Sequence, residues 1–425
     1  MKQVQQSGMG KYKDLILEAC LHNQVYDSQI DPSRAPWLFL MFKDSPHYNE
    51  FRDAISKQLR EATDWDCVQL LHLLGQMAIA GDQVARQTLK EAVFAEANQP
   101  SEDEYLIVKE WSQLQSLGEF LDLARICGER LLENPLAFAP VGAIPEDREQ
   151  EFRQALADHA RAEPALQKYQ SCLRERGWLE DYDGPFDREA ARRERHERFR
   201  QEYPLEQVLT DAKKKQGEFP ARYTAFGRHA TQDELEAVYD ALLEELDPEV
   251  QMRLLWVFRS VPLPAISQLV LDWAAGDHGG VRAAAIAALA QIKDEKIHQL
   301  ARQKLSRAEL LGADNEALLL FEKNFMESDA PLIATALRAV HPDREDAHSL
   351  GFDIIEVSRA QETPRLVEAL KWAYENTPCV HCRHNTLIEL EKYGGIDEPI
   401  WQELPFDADE SVREFAENKG RPSMA

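Results

Sequence analysis

The sequence predicts an all-α chain whose second half is a solenoid of stacked helical hairpins and whose first half is helical but less regular. Three observations carry this. A short cassette recurs: apolar residue, Arg, a small or packing residue three further on, and an apolar residue four beyond that. Sustained apolar–polar alternation, the pattern of a half-buried strand, is missing. Helix-start signals recur along the length of the chain. Self-similarity at a period of about 30 residues is the mark of a repeat array, because one hairpin cannot bury its own apolar face and must stack on its neighbours.

The cleanest cassette is Val281-Arg282 with Ala285 and Leu289. Others are Cys382-Arg383 with Thr386 and Leu390, Ala85-Arg86 with Leu89 and Val93, and Ala124-Arg125 with Gly128 and Leu132. Met252-Arg253 with Trp256 is a bulkier copy, and Val412-Arg413 with Ala416 is a truncated one.

Taken in order, residues 12–60 read as two or three helices, one holding the aromatic run Trp37-Leu38-Phe39-Leu40-Met41-Phe42. Residues 64–95 and 103–133 read as two hairpins, the second opened by a Ser101–Glu104 capping box. Asn134 to Pro145 is too broken by proline and glycine to be a helix, yet carries Leu136, Phe138, Val141 and Ile144. An apolar loop of this kind packs on its own scaffold or touches a partner. A second break, Asp181-Tyr182-Asp183-Gly184-Pro185, precedes a densely charged helix with Arg188, Arg192, Arg193, Arg195, Arg198 and Arg200, followed by Lys213-Lys214-Lys215. Its Glu189–Arg193 and Glu194–Arg198 pairs are spaced to support an exposed helix.

Six hairpins follow, at about 231–260, 263–293, 294–325, 328–359, 362–393 and 395–419. Thr231 with Glu234 makes a capping box. Asp247-Pro248 and Thr377-Pro378 each pair a good N-cap with a proline suited to the first turn. The expected division is an N-terminal helical region over 1–180, a charged linker helix over 181–225 and a hairpin array over 226–425.

Composition narrows the function. Of 425 residues, 44% are hydrophobic, ample for a core. Against 49 Lys and Arg stand 75 Asp and Glu, a formal charge of -26. Such a field repels nucleic-acid phosphates and anionic membranes. No apolar run approaches the roughly 20 residues of a membrane helix. Met1-Lys2-Gln3-Val4-Gln5-Gln6 leads into no signal-peptide core, and six scattered cysteines do not make a disulfide scaffold, so the expected compartment is the reducing cytoplasm.

The cassette resembles the HEAT repeat of the armadillo-like α-solenoids, in which an aspartate near the turn precedes Val-Arg at the start of the second helix. Asp277 with Val281-Arg282, and Asp409 with Val412-Arg413, match that pattern. The likeness covers about residues 231–419 and, more loosely, 64–133. Tyr223-Thr224-Ala225-Phe226-Gly227-Arg228 and Thr377-Pro378-Cys379 are similar to stretches of uncharacterised bacterial HEAT-repeat proteins. The resemblance implies a right-handed superhelix and a structural ladder of Asp277, Arg282, Asp409 and Arg413 between repeats. Enzymatic HEAT-like families leave little trace here. The iron hydroxylases use several His-Glu dyads and this chain has only His196-Glu197, while the DNA glycosylases use a basic surface.

Chemistry concentrates in Thr377-Pro378-Cys379-Val380-His381-Cys382-Arg383-His384. With Thr377 as N-cap, Cys379 falls in the first helical turn, where the helix dipole favours a thiolate. Cys379, Cys382 and His384 offer three zinc-type ligands, and His341 or His348 from the preceding hairpin would supply a fourth. Against this, Cys382 occupies the cassette slot of Val281, which faces the core, leaving Cys379 as the thiol free to be exposed. No phosphate-cradling glycine loop or nucleophile elbow occurs.

The expected function is a scaffold or adaptor that holds another protein without catalysis or a required cofactor. Leu136, Phe138, Val141 and Ile144 or the Arg192, Arg193, Arg195 and Arg198 face would meet the partner. Two alternatives remain: a zinc- or thiol-dependent enzyme or regulator at Cys379, Cys382 and His384, and a nucleic-acid-associated protein using the Arg-rich segment 188–215.

Overall fold

The computed structural model describes residues 4, 8–27, 31–98, 109–134, 148–175, 199–215, 220–306, 310 and 317–419. Among them the chain is helical, with no strand. No helix among these residues is long and apolar enough to cross a membrane. Two compact units are present: residues 1–185 with 402–425, and residues 186–401.

The first unit opens with α1 (Lys13–Leu21), α2 (Ala35–Phe42) and α3 (Tyr48–Gln58). The aromatic run becomes α2, whose Leu38, Phe39 and Phe42 are buried. Phe42 stacks on Phe51 of α3 with ring centroids 4.6 Å apart. Next come α4 (Asp64–Ile79), α5 (Gln83–Asn98), α6 (Lys109–Leu114), α7 (Leu117–Glu133), α8 (Glu149–Ala160) and α9 (Pro164–Glu175). Helix α4 packs on α5, α5 on α7, and α7 on α9. The last contact is close because of glycine. A Cβ on Gly128 would run into the Ala165 carbonyl oxygen, so the packing slot of that cassette requires the smallest residue.

The second unit holds α10 (Leu205–Lys213), α11 (Ala221–His229), α12 (Gln232–Glu244), α13 (Pro248–Trp256), α14 (Gln268–Ala275), α15 (Gly279–Leu289), α16 (Glu295–Ser306), α17 (Phe321–Asn324), α18 (Ala330–Ala339), α19 (Arg344–Gln361), α20 (Val367–Asn376) and α21 (Val380–Lys392). The unit boundary falls within α22 (Glu398–Glu403). Helix α14 packs on α15 and α20 on α21 as hairpin partners. Further contacts join α13 to α15, α17 to α19, α19 to α21, α16 to α18 and α18 to α20. The final helix, α23 (Glu410–Lys419), belongs to the first unit, where Trp37 Nε1 donates to the Phe406 carbonyl at 3.1 Å.

Helix starts follow their sequence signals at several points. Thr231 Oγ1 accepts from Glu234 N at 3.3 Å and Glu234 returns a carboxylate to Thr231 N at 2.7 Å, closing the capping box of α12. Asp247 accepts from Glu249 N ahead of Pro248. Thr377 differs from its expected role. It is the residue that ends α20, its N–H donating to the Ala373 carbonyl, and Cys379 is the N-cap of α21.

The cassette residues are mostly core. Val281, Ala285, Leu289, Cys382, Thr386, Leu390, Ala85, Leu89 and Val93 are all buried. Two copies are shifted. Leu132 is 53% exposed while Leu131 is buried, and Met252 and Trp256 are half-buried while Leu254 and Leu255 take the core. Several cassette arginines hold backbone carbonyls, whereas Arg125 pairs with Asp122 and Glu163 and Arg383 donates to the Tyr374 hydroxyl. Arg282 Nη1 donates to Gly276 O at 3.0 Å, Arg413 Nη1 to Asp407 O at 2.7 Å, and Arg253 Nη2 to Lys215 O at 3.1 Å. Carbonyls at helix ends lack intrahelical partners, so a buried guanidinium placed there satisfies them.

Candidate functional site

The site is assembled at the turn from α20 to α21. Pro378 cannot continue α20, so the chain leaves the helix and re-enters one residue later. Cys379 takes an extended backbone (φ -79°, ψ 124°), which turns its side chain back over the new helix. Its Sγ accepts from Cys382 N at 3.5 Å, the N-cap role more often filled by Ser or Asp. Residues three apart share a helix face, so the two sulfurs lie side by side.

The third component comes from α19. Asp343 caps this helix by accepting from Asp346 N at 2.9 Å, and His348 lies in the following turn. Helix α19 packs on both α20 and α21. That packing brings a ring nitrogen of His348 and the sulfurs of Cys379 and Cys382 within 4.8 Å of one another. Among the described residues this is the one group of three or more His, Cys, Asp or Glu donors that converges so closely. Both cysteines are buried, at 2% and 3% exposure, and His348 is half-buried.

The Cys379 thiol is held far below its ordinary range, down to about 4. The chief cause is the hydrogen bond from the Cys382 thiol; burial opposes it, and the His348 ring and the Cys382 N–H add to the stabilisation of the thiolate. Buried thiols without such company go the other way. Burial pushes Cys20 and Cys127 up to about 12.

Of the expected zinc ligands, the structure brings Cys379 and Cys382 together and puts His348 in third place. His384 is not part of the trio. It is two residues beyond Cys382, about 200° round an α-helix, and a side chain there cannot share the face of the sulfurs. Cys379 is also not the exposed thiol of the pair, since both are buried. Leu136, Phe138, Val141 and Ile144, and Arg192, Arg193, Arg195 and Arg198, lie outside the described residues. So do the Ser101–Glu104 capping box and the His196-Glu197 dyad. At the described end of the Arg-rich segment, Arg200 pairs with Glu234 at 3.3 Å, and Lys215 with Asp247 at 3.0 Å and Glu249 at 3.3 Å.

His348 also lines a cleft of about 460 Å³ in the second unit. Its walls carry four carboxylates, Glu322, Glu345, Asp353 and Glu356, against one guanidinium, Arg259. Phe352 lies in the wall with 49% of its surface exposed. Burial, reinforced by the nearby Glu356, holds Glu322 above the ordinary carboxylate range despite Lys323. Half of its lining, Glu345, His348, Ser349, Phe352, Asp353 and Glu356, is one face of α19; the rest comes from α15, the chain around α17 and the turn after α13, so only the docking of these elements closes the cleft.

The first unit has a smaller cavity of about 120 Å³ lined by Asn23, Asp31, Trp65, Gln69 and His72. His72 Nδ1 is 2.9 Å from Glu110 Oε2, and Gln76 donates to Glu110 Oε1 at 2.8 Å. Burial pushes Glu110 up, but these two partners outweigh it and its carboxyl sits below the usual range. Gln69 donates to the carbonyls of Ala19, Cys20 and His22, sealing the end of α1. These are the bonds of a satisfied interior polar network.

No protein-family model, no curated protein and no solved structure matches this chain.

Proposed function

We propose that the chain is an interaction protein: a HEAT-like solenoid of helical hairpins whose acidic cleft receives a cationic segment of another protein, with no reaction of its own. The cleft in the second unit carries this reading. Four carboxylates surround a half-exposed phenylalanine, a surface suited to Lys or Arg side chains through charge and cation–π contact. The solenoid part is supported by the contacts of α13 with α15, α17 with α19 and α19 with α21, and by the buried cassette residues. The charge of -26 agrees with a basic partner and steers it inward.

A direct test is a titration of the full chain with fluorescent peptides, Lys/Arg-rich against Glu-rich of equal length, at two salt concentrations. The reading expects binding of the cationic set alone, weakening with salt. Phe352→Ala and the paired change Glu345→Gln with Glu356→Gln should each weaken it. Equal binding of both peptide sets, or variants that bind like the parent, would overturn the reading. Tagged-chain purification from the native host then identifies the partner, whose contact segment should be basic.

A further inference from the structure

We propose that His348, Cys379 and Cys382 form a zinc site that pins α19 to the start of α21, with solvent supplying the fourth ligand. This goes beyond the interaction reading and does not depend on it.

The donor set is the first argument. Two sulfurs and an imidazole suit zinc, whereas magnesium and calcium take oxygen ligands. Geometry is the second. Zn–S bonds of about 2.3 Å and Zn–N bonds of about 2.0 Å around a tetrahedral ion place the donors roughly 3.5–3.8 Å apart. The three atoms already lie within 4.8 Å of one another, so side-chain rotations close the remaining gap without moving helices. Support from the surroundings is the third. The Cys382 N–H points at Cys379 Sγ, and the N-terminal end of α21 favours negative charge at that spot. Among the described residues, the buried Cys20, Cys127 and Cys172 belong to no such donor group.

Access is the fourth. The sulfurs are buried, but His348 is half-buried and faces the acidic cleft. A cation drawn into that cleft therefore reaches the imidazole side of the trio. Cys379 hydrogen-bonds to both Cys382 and His348. Metal binding replaces these bonds, each protonated thiol giving up its proton to solvent as its sulfur takes the ion.

The experiment uses the full chain, purified under reducing conditions and stripped with a chelator. Zinc is titrated against a chromophoric competitor, and cobalt(II) is added separately to read the sulfur-to-cobalt charge-transfer band. The expected result is one tight equivalent of zinc and a cobalt band typical of thiolate coordination. His348→Ala and Cys382→Ser should each weaken zinc at least about tenfold, the scale on which removal of even a supporting partner acts. His384→Ala and Cys127→Ser should bind like the parent. Because Cys382 also packs in the core, the variants are compared by circular dichroism, and His348→Gln, altered at a half-buried position, provides the decisive case if Cys382→Ser does not fold. The proposal is overturned if the folded parent takes up no stoichiometric zinc, or if His348→Ala and His348→Gln both bind as the parent does. A Cys379–Cys382 disulfide persisting in the reduced preparation overturns it too.

Discussion

His298 Nε2 and Asp329 Oδ2 are hydrogen-bonded at 2.9 Å with both side chains buried, joining α16 to the start of α18 in the next hairpin. The same carboxylate accepts from Arg302 Nη1 at 2.7 Å and from Met326 N at 2.8 Å. One fully buried aspartate therefore anchors two side chains and a backbone amide across a hairpin boundary. Removing it leaves a buried histidine and an arginine without their partner. Asp329→Ala is expected to cost about 3–5 kcal/mol, the range for breaking one side of a buried pair. Urea unfolding of the second-unit signal checks this, and a cost below 1 kcal/mol (about the value of an exposed pair) would place the network outside the fold's stabilising contacts.

Gly128 gives a second prediction. A Cβ there meets the Ala165 backbone, which cannot rotate away, so α7 and α9 must separate. Gly128→Ala should destabilise the first unit by about 1–3 kcal/mol. Gly118, in the same helix, has open space around its Cβ position. Gly118→Ala should be neutral or stabilising by up to about 1 kcal/mol. A comparison of the two thermal midpoints tests the claim, which fails if the two substitutions behave alike.

The pH dependence of the first unit should carry a contribution from Glu119. Burial pushes this carboxyl up, yet hydrogen bonds from Ser116 and Lys90 and the charge of Arg86 prevail, bringing it from an ordinary 4.5 down to about 2. Lys90 Nζ and Arg86 Nη2 each lie 2.9 Å from it. Because the folded value is depressed, this stabilisation is fully present above the unfolded value and is lost as pH falls from 4.5 through 2. Glu119→Gln should lower stability at neutral pH and flatten the decline in that window. Unfolding midpoints at pH 6 and pH 3 for the parent and variant decide it, and parallel declines would refute the assignment.

The cysteines should differ sharply in reactivity. Cys379, stabilised as a thiolate, is expected to alkylate ahead of Cys20 and Cys127, whose thiols are pushed up to about 12. Peptide mapping after brief iodoacetamide treatment at neutral pH gives the order directly. Prior zinc should protect Cys379 and Cys382 and leave Cys20 and Cys127 unchanged; labelling of Cys20 first would contradict the site's electrostatics.

Much of the local structure was legible in the chain. Thr231 with Glu234 and Asp247 with Pro248 announce helix starts because capping is settled within four residues. The Ser116–Glu119 box that opens α7 carries the same signal. The slots of Val281, Ala285 and Leu289 face inward because helical periodicity fixes which residues share a side. Gly128 shows where that reading stops. Its place in the cassette marks a packing position, but only the approach of Ala165 shows that nothing larger fits.

The sequence by itself determined that the chain is helical, where several helices begin and which positions of most cassette copies are buried. It also placed Cys379 and Cys382 within one turn of each other at the start of a helix. These properties depend on neighbours within one or two turns. Tertiary structure alone decided that His348 joins the sulfurs and His384 does not, that Glu322, Glu345, Asp353 and Glu356 share one cleft, and that α23 belongs with the first unit. The physical reason is common to all three. A side chain's partners across a helix interface are set by how neighbouring helices dock, and that depends on the shapes of whole faces, which no single segment encodes.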